Sequence, residues 1–245
     1  MARRRNKNKK SRKVLVMKVR RQRRKVPRIT SVFHTKRTVN LANVGGLLVD
    51  GAYLTKYQNN LMFTTTNNSG IANYGSASLK ARLYDIYNYS EYTVLWDRYK
   101  IDMVKIRITP FSTQAASGAA VGPVGQSAIL IHSIYDYDDS DLPPNSEAGV
   151  LAMREYKNYK CKNIFSTLGK PITYTFKPRV ATDVYAGGVT AVASKSEPFG
   201  WMDCNEPQVE GYSAKFIFET ISAGATFSIY FKMDATYYLS IKDPR

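Results

Sequence analysis

The sequence predicts an all-β fold, a sandwich or jelly roll of roughly eight strands, preceded by a separate basic arm. Two observations support this prediction. In several segments after position 38 apolar residues alternate with polar ones, which is the period of strands with one buried face. Helical periods are scarce, and long Gly- and Ser-containing loops such as TNNSGIANYGSAS and TQAASGAAVGPVGQS separate the alternating segments. This pattern is typical of layered β folds and not of a βαβ fold.

The chain begins with the basic arm. Residues 1–37 hold 17 of the 36 Lys and Arg residues and none of the 19 acidic residues. The first acid is Asp50, so residues 38–245 carry 19 bases and 19 acids and are formally neutral. VLVM at Val14–Met17 interrupts the arm's charge but is too short to offset the entropy of ordering. We therefore expect residues 1–37 to form a disordered arm and residues 38–245 to form one folded domain.

The arm contains two basic clusters, RRRNKNKKSRK and RRQRRK. A single cluster would fit a solubility or localisation tag equally well. Two Arg-rich clusters favour a polyanionic partner, because the Arg fork matches the geometry of phosphate. The candidate nucleic-acid-binding residues of the arm are Arg3, Arg4, Arg5, Lys7, Lys9, Lys10, Arg12, Lys13, Lys18, Arg20, Arg21, Arg23, Arg24, Lys25, Arg28, Lys36 and Arg37.

The clearest strand is KIDMVKIRITPF, in which Val104, Ile106 and Ile108 alternate with polar residues. This alternation predicts one buried face and one basic face. Lys105 and Arg107 lie on the basic face, and we expect them to add to phosphate contact. Further strands are predicted from SAILIHSIYDY, ITYTFKP, AKFIFET, TFSIYFKM and TYYLSIK.

Two segments depart from the strand pattern. The leading stretch of Ala77–Tyr99 could turn as a helix. A second helix is predicted from Ser146, with Ser146 as the N-cap, Glu147 in the first turn and Leu151 on the apolar side.

The sequence indicates no catalytic, metal or cofactor site. Cys161 and Cys204 are far apart without a CxxC pair, which fits buried or incidental thiols of a reducing compartment. His132 falls in a predicted buried strand and is expected to be a satisfied core histidine, while His34 lies at the edge of the arm. GAAVGPVGQS lacks the Lys of a phosphate-binding loop. No apolar run is long enough to span a membrane, so no membrane insertion is expected.

An acidic cluster, YDYDDSD, follows one predicted strand. Its carboxylates could ligate a hard cation, but the cluster lacks the spacing of a calcium loop and its terminal Glu. A solvated acidic turn is the favoured interpretation, and metal binding by Asp136, Asp138, Asp139 and Asp141 is left open.

Several segments resemble one known family. WDRYKIDMVKIRITP resembles the segment of circovirus-type capsid proteins in which an aromatic-rich stretch leads into a basic and aliphatic strand ending at proline. The later segments SAILIHSIYDYDDSD, KCKNIFSTLGKPITYTFKPRV, EPFGWMDCNEP and YFKMDATYYLSIK follow in the order and rough spacing of that family. The chain thus resembles the capsid protein of a circovirus or a circovirus-like small circular single-stranded DNA virus.

This resemblance implies a single eight-stranded jelly roll in two sheets and a closed icosahedral shell of sixty copies. It also implies that the arm faces the single-stranded DNA genome inside the shell. The two basic clusters would serve as a nuclear import signal read by host import receptors, which places the protein in the virion and the host nucleus. A host cell-surface receptor is implied as well, but its identity is not.

Two other classes of protein compete with this interpretation. A ribosomal-type nucleic-acid-binding protein with a basic extension usually spreads bases over its folded body, whereas residues 38–245 are formally neutral here. An enzyme with a basic targeting tail would need a catalytic site, which the sequence does not indicate. The 18 tyrosines, among them Tyr84, Tyr87, Tyr89 and Tyr92, suit subunit interfaces, base stacking or simple coverage of the core.

Overall fold

The computed structural model describes residues 32–65, 72–115, 129–137, 139, 141–164, 171–185, 191–221 and 227–245, with the side chains of 111–115, 181–185, 191–195, 221 and 227 left aside. These residues form the strands β1 (Phe33–Asn40), β2 (Leu47–Val49), β3 (Leu54–Tyr57), β4 (Asn60–Thr64), β5 (Ala72–Ala81), β6 (Trp96–Ala115), β7 (Leu130–Ile134), β8 (Lys160–Asn163), β9 (Ile172–Phe176), β10 (Arg179–Tyr185), β11 (Ala191–Pro198), β12 (Met202–Asp203), β13 (Gly211–Ile221) and β14 (Phe227–Pro244). They also form the helices α1 (Tyr89–Leu95) and α2 (Glu147–Arg154), and 3₁₀ turns at Leu41–Asn43 and Leu83–Asp85.

Eight of these strands pair in a nested pattern. The first, β1, pairs antiparallel with the last, β14, and β5 pairs with β13. Inside them β6 pairs with β9, and β7 pairs with β8. The nesting gives two antiparallel sheets, sheet A with the order β1–β14–β6–β9 and sheet B with the order β5–β13–β7–β8. This pattern is a jelly roll, and it confirms the predicted fold class.

The remaining described strands extend the edges of these two sheets. In sheet A, the β3–β4 hairpin pairs with β14 and β12 pairs with β6. In sheet B, β2 pairs with β5, and the β10–β11 pair joins β13. They raise the number of described strands above eight without changing the nested core.

The two sheets pack face to face through large aromatic side chains. The ring centroids of Tyr174 and Phe216 are 5.3 Å apart, and those of Phe218 and Phe231 are 4.9 Å apart. Both pairs join a residue of sheet A to a residue of sheet B and lie in the buried core. Gly75 of β5 allows a close approach, because a Cβ there would lie 2.8 Å from the ring of Phe63. The core therefore fills the space between the sheets, as in other sandwiches.

The predicted helix at Ser146 is confirmed, and the side chain of Ser146 accepts a hydrogen bond from the amide of Gly149 at 3.3 Å. The prediction that Leu151 lies on the apolar side is wrong, since its side chain is 52% exposed. Val150 and Met153 are buried instead, in a small cluster with Ile134 and Ile217 of sheet B. Which residues of a short helix are buried depends on how the helix docks, and the sequence alone does not contain that information.

The helix predicted at the start of Ala77–Tyr99 is wrong. Residues up to Ala81 continue β5, which pairs with β13 over its whole length. The helix lies later, at Tyr89–Leu95, after Asn88 in the left-handed conformation with φ 60°. Pairing with a long partner strand has overridden the local helical tendency.

Candidate nucleic-acid interface

The strand β6 presents a buried face and a charged face, as predicted. Val104, Ile106 and Ile108 are completely buried in the core. Lys105 and Arg107, between them, are exposed on the side of sheet A that faces away from sheet B. We call this side the outer face of sheet A. The predicted direction of both basic side chains is confirmed, and their contact with phosphate stays a prediction.

The register of sheet A surrounds Lys105 with hydroxyl groups. Lys105 lies opposite Thr236 of β14 on one side and Thr175 of β9 on the other. Thr236 in turn lies opposite Thr38 of β1, and the two hydroxyl oxygens are 2.9 Å apart. Small hydroxyl side chains leave the ammonium group accessible and can themselves hydrogen-bond phosphate oxygens.

Arg107 and Lys36 on the outer face are also available for an external partner. Arg107 lies opposite Asp234, but Asp234 pairs with Lys232 at 3.5 Å. Lys36 reaches the same face from β1. Within the described residues, Lys36, Lys105 and Arg107 form no ion pair. Unpaired surface bases can bind a polyanion without breaking an internal contact.

The structure places the two last bases of the predicted arm in a strand. Lys36 and Arg37 lie within β1, so they belong to the folded sheet and not to a free arm. Arg37 is exposed, but it lies opposite the buried Tyr237 and so is on the other side of β1 from Lys36. Lys36 thus joins Lys105 and Arg107, whereas Arg37 does not. The arm residues Arg3 to Arg28 lie outside the described residues.

Two further residues of the outer face were missed as site candidates. Lys177 follows β9 and is exposed, and Tyr238 of β14 is half-buried between β1 and β6. The alternation in ITYTFKP and TYYLSIK places both opposite the core-facing residues of those strands. That signal was present, but only the pairing of β1, β14, β6 and β9 shows that these residues share a surface with Lys105.

His132 is a satisfied core histidine, as predicted. Its ring is completely buried, with Nδ1 2.7 Å from the hydroxyl of Tyr159 and Nε2 2.6 Å from a carboxylate oxygen of Glu219. Burial lowers the pKa of His132, against the opposing effect of Glu219, and Arg154 lowers it further. The contact between His132 and Glu219 joins β7 to β13, and the neutral imidazole is the form that fits this enclosed position.

This arrangement predicts a pH-dependent stability. Because the pKa of His132 is lower in the folded than in the unfolded chain, the unfolded chain takes up the proton first as the pH falls. The stability that neutral His132 contributes is complete above about pH 6.5 and declines below it, by at most about 1.4 kcal/mol per pH unit. Urea midpoints of unassembled subunits between pH 7.5 and pH 5.5 measure the decline. A His132→Gln variant with the same slope as the native chain would contradict this origin.

The acidic cluster is not the simple solvated turn that the sequence favours, because two of its carboxylates pair with a lysine. Lys215 of β13, which is 7% exposed, forms ion pairs with Asp136 at 2.9 Å and with Asp139. Burial acts to lower the pKa of Lys215, but the bonds to Asp139 and Asp136 outweigh it, so the pKa is raised. Asp138 lies outside the described residues. Lys215 supplies the positive charge that these two carboxylates require, and no group of three or more metal-ligating side chains occurs among the described residues.

Ser240, His34 and Asp102 meet on the outer face but do not form a catalytic triad. Ser240 donates its hydroxyl proton to Asp102, and its oxygen lies 2.9 Å from Nδ1 of His34. The proton therefore points away from the histidine, and the histidine donates to the serine. In a hydrolytic triad the histidine must instead accept that proton.

The two cysteines lie in different environments. Cys161 is exposed and Cys204 is buried, and both are free thiols. Burial raises the pKa of Cys204 to about 11, which disfavours the reactive thiolate. Among the described helices, none has the length and apolar character needed to cross a membrane.

Of the four candidate tyrosines, only one is a core residue. Tyr92 is buried and anchors α1 to the core. Tyr84 and Tyr89 contact each other with ring centroids 4.7 Å apart, and Tyr87 is 82% exposed. Tyr92 covers the core, whereas contact of Tyr87 with a second subunit or a base stays a prediction.

Comparison with known proteins decides between the competing classes. A family model described as circovirus capsid protein matches residues 2–245. The chain belongs to the circovirus capsid protein family. It is therefore a structural component of a virion, and the ribosomal-type and enzymatic alternatives lose their support.

One solved capsid structure shows the same fold. The crystal structure of the 60-mer BFDV capsid protein is 14% identical, with 87% of this chain and 95% of that chain covered and a TM-score of 0.52. The crystal structure of the decameric BFDV capsid protein is 13% identical, with 87% of this chain and 100% of that chain covered and a TM-score of 0.48. A cryo-EM structure of Mud crab tombus-like virus is 10% identical, with 100% of this chain and 95% of that chain covered and a TM-score of 0.45. No curated protein matches the chain in sequence. At 14% identity, the likeness to the 60-mer concerns the fold alone.

Proposed function

We propose that this circovirus capsid protein assembles into a closed icosahedral shell of sixty subunits and packages circular single-stranded DNA through its basic arm. The observation that carries the proposal is the division of charge. Residues 1–31 hold 15 bases and no acid, whereas residues 38–245 are formally neutral. A neutral body allows many copies to pack side by side without long-range repulsion, and a charged arm supplies the counter-charge for a polyanion.

An arm suits a single strand better than a fixed groove does. A packaged circular single strand has no regular helical geometry, so an unstructured arm can follow it from each subunit separately. Phosphate contacts of this kind read no base sequence, which allows one protein to package a whole genome.

The outer face of sheet A extends the same charge onto the folded body. Lys36, Lys105 and Arg107 are exposed and unpaired among the described residues. Lys36 lies in β1, the strand that directly follows the arm in the chain. These bases support a second set of phosphate contacts and an orientation of sheet A toward the genome.

The sixty-subunit shell is proposed from the family and from the likeness to a structure described as a 60-mer. The two basic clusters of the arm, RRRNKNKKSRK and RRQRRK, would serve as the signal for host nuclear import receptors. The protein would then act in the host nucleus before it enters the virion.

Assembly is tested directly by particle size. The purified full chain is expected to form uniform shells by negative-stain microscopy and to sediment as megadalton particles that contain nucleic acid. A chain that stays monomeric over a wide range of protein concentration and salt would contradict the proposal. Uniform shells without nucleic acid would uphold assembly and refute packaging.

A further inference from the structure

A recess of about 630 Å³ opens beside the outer face of sheet A. Its lining includes His34 of β1, Lys100 and Met103 of β6, Lys177 after β9 and Tyr238 of β14. Its size is within the range of small-molecule and cofactor pockets. The recess lies on the same sheet as Lys105 and Arg107, and four of its lining residues, His34, Asp102, Lys177 and Tyr238, belong to the outer face described above.

Tyr238 gives the recess a flat aromatic surface. The residue is half-buried, and its side chain points outward because its neighbours Tyr237 and Leu239 point into the core. In the register of the sheet, Tyr238 lies between Lys36 of β1 and Met103 of β6. Directly opposed residues on one face have Cβ atoms about 5 Å apart. Lys36 and Met103 are therefore the cross-strand neighbours of Tyr238 on the outer face.

The charge of the recess is positive. Lys177 is exposed at its rim, and Lys100 is half-buried within it. Asp102 also lines the recess, but it forms an ion pair with Lys100 at 3.2 Å and accepts the hydroxyl proton of Ser240. Lys177 therefore provides the net positive charge of the recess, and Lys36, the register neighbour of Tyr238 in β1, adds a second exposed base outside the lining.

We propose that this recess binds one nucleotide of a single-stranded nucleic acid, with the base against the ring of Tyr238 and the flanking phosphates near Lys36 and Lys177. An aromatic ring near two lysine side chains fits a ligand that is both flat and anionic. Stacking on an aromatic side chain accepts every base, so the site would need no sequence preference. The inference rests on the proposed packaging function and adds a base contact to a set of phosphate contacts.

A photochemical cross-link tests the stacking directly in the full chain. Particles are assembled with a thymine oligonucleotide in which some bases are 5-iodouracil, irradiated, and the cross-linked residue is mapped by mass spectrometry. Iodouracil reacts with an aromatic ring stacked on it, so the expected cross-link is at Tyr238. A Tyr238→Leu variant should lose it. Tyr230→Leu is the matched control, since Tyr230 is half-buried on the same side of β14 and its ring contacts Tyr57 with centroids 5.8 Å apart.

Affinity provides a second readout that a purely structural tyrosine would not change in the same way. Tyr238→Leu should weaken binding of the thymine oligonucleotide about tenfold. It should leave unchanged the binding of an abasic oligonucleotide of equal length, which has the same charge and no bases. Tyr238→Phe should keep both affinities, because the stacking surface remains. Ribose and deoxyribose oligonucleotides should respond alike, since the base and not the sugar is stacked.

The outcomes separate the two proposals. Native particles that take up no nucleic acid would overturn both packaging and stacking. Particles that package normally but cross-link at other residues, or that cross-link equally after Tyr238→Leu, would overturn stacking alone. Equal losses for the thymine and abasic oligonucleotides would assign Tyr238 to the structure of the sheet and would also overturn the proposal.

Discussion

Deletion of residues 1–31 is expected to leave a folded subunit that purifies without nucleic acid. The segment holds 15 of the 36 bases, and its removal leaves 21 bases against 19 acids. The jelly roll begins with β1 at Phe33, so the described strands and their nested pairing are retained. The ratio of absorbance at 260 nm to that at 280 nm measures the nucleic acid. A truncated protein with the ratio of the native particles would refute the role of the arm.

The deletion must stop before β1. Phe33 contacts Trp96 with ring centroids 4.9 Å apart, and β1 covers the free side of β14 from Phe33 to Asn40. A longer deletion through Arg37 would expose that edge of sheet A and destabilise the subunit. Loss of nucleic acid in the longer deletion would then report unfolding as well as lost charge, so the shorter deletion is the informative one.

Salt provides a second measure of the same claim. Neutralising phosphates releases counterions, with a logarithmic slope of about 0.7 per contact for a single strand. If all 15 arm bases were engaged, the arm would contribute at most roughly 11 to the slope of the native chain. The truncated chain should keep only the small slope of Lys36, Lys105 and Arg107. Similar slopes for the two proteins would mean that the folded body, and not the arm, carries the phosphate contacts.

An arm with a scrambled sequence tests whether the number of basic residues or their order in the chain matters for packaging. Rearranging residues 2–31 while keeping every Lys and Arg should preserve packaging, because phosphate contacts read charge and not sequence. The same rearrangement should impair nuclear import if the two basic clusters are the signal. Much weaker oligonucleotide binding by the scrambled chain would show that the arm is a folded recognition element and not a counter-charge.

The sequence predicted the faces of the strands well and their partners poorly. Alternation is a local property, so the burial of Val104, Ile106 and Ile108 follows from the period of β6 itself. Pairing is not local: β1 meets β14 across some two hundred positions, for example between Thr38 and Thr236. The nested order was available only from the resemblance to a family.

The same limit explains which site residues were missed. Lys105 and Arg107 could be read from one strand, whereas Tyr238 became a candidate only when β14 was placed between β1 and β6. His132 could be predicted to be satisfied, but not by Glu219, which is 87 positions away. Side chains that act together from different strands are predictable as individuals and not as a group.

The predicted end of the arm differs from the start of the folded sheet for another reason. The run of bases places the end of the arm at Arg37, but β1 already begins at Phe33. Lys36 and Arg37 are exposed at the edge of the sheet, where a strand tolerates basic side chains and is protected by them from unwanted pairing. Composition therefore cannot separate a basic arm from a basic edge strand.

Val104→Asp is expected to unfold the subunit, whereas Lys105→Ala should leave its stability almost unchanged. Val104 is completely buried, and its register partners Tyr237 and Phe176 are both buried aromatic residues. A carboxylate at this position would be buried without a partner, at a cost of about 4 kcal/mol or more. Since a domain of this kind has a total stability of about 5–15 kcal/mol, that loss removes much of it. Lys105 is exposed, and its truncation should change stability by about 0.5 kcal/mol or less.

Urea unfolding of the unassembled subunits, followed by tyrosine and tryptophan fluorescence, distinguishes the two variants. Val104→Thr is the matched control, because it keeps the branched shape and adds a hydroxyl group without a full charge, so its midpoint should lie between those of Val104→Asp and the native chain. The comparison of neighbouring residues also tests the register of β6. A slip of one position would exchange the two faces of the strand, so that Lys105 would be buried and Val104 exposed. Equal midpoints for Val104→Asp and Lys105→Ala, or a larger loss for Lys105→Ala, would mean that β6 is not paired with β14 and β9 in this register, and the outer face of sheet A would then lose both Lys105 and Arg107.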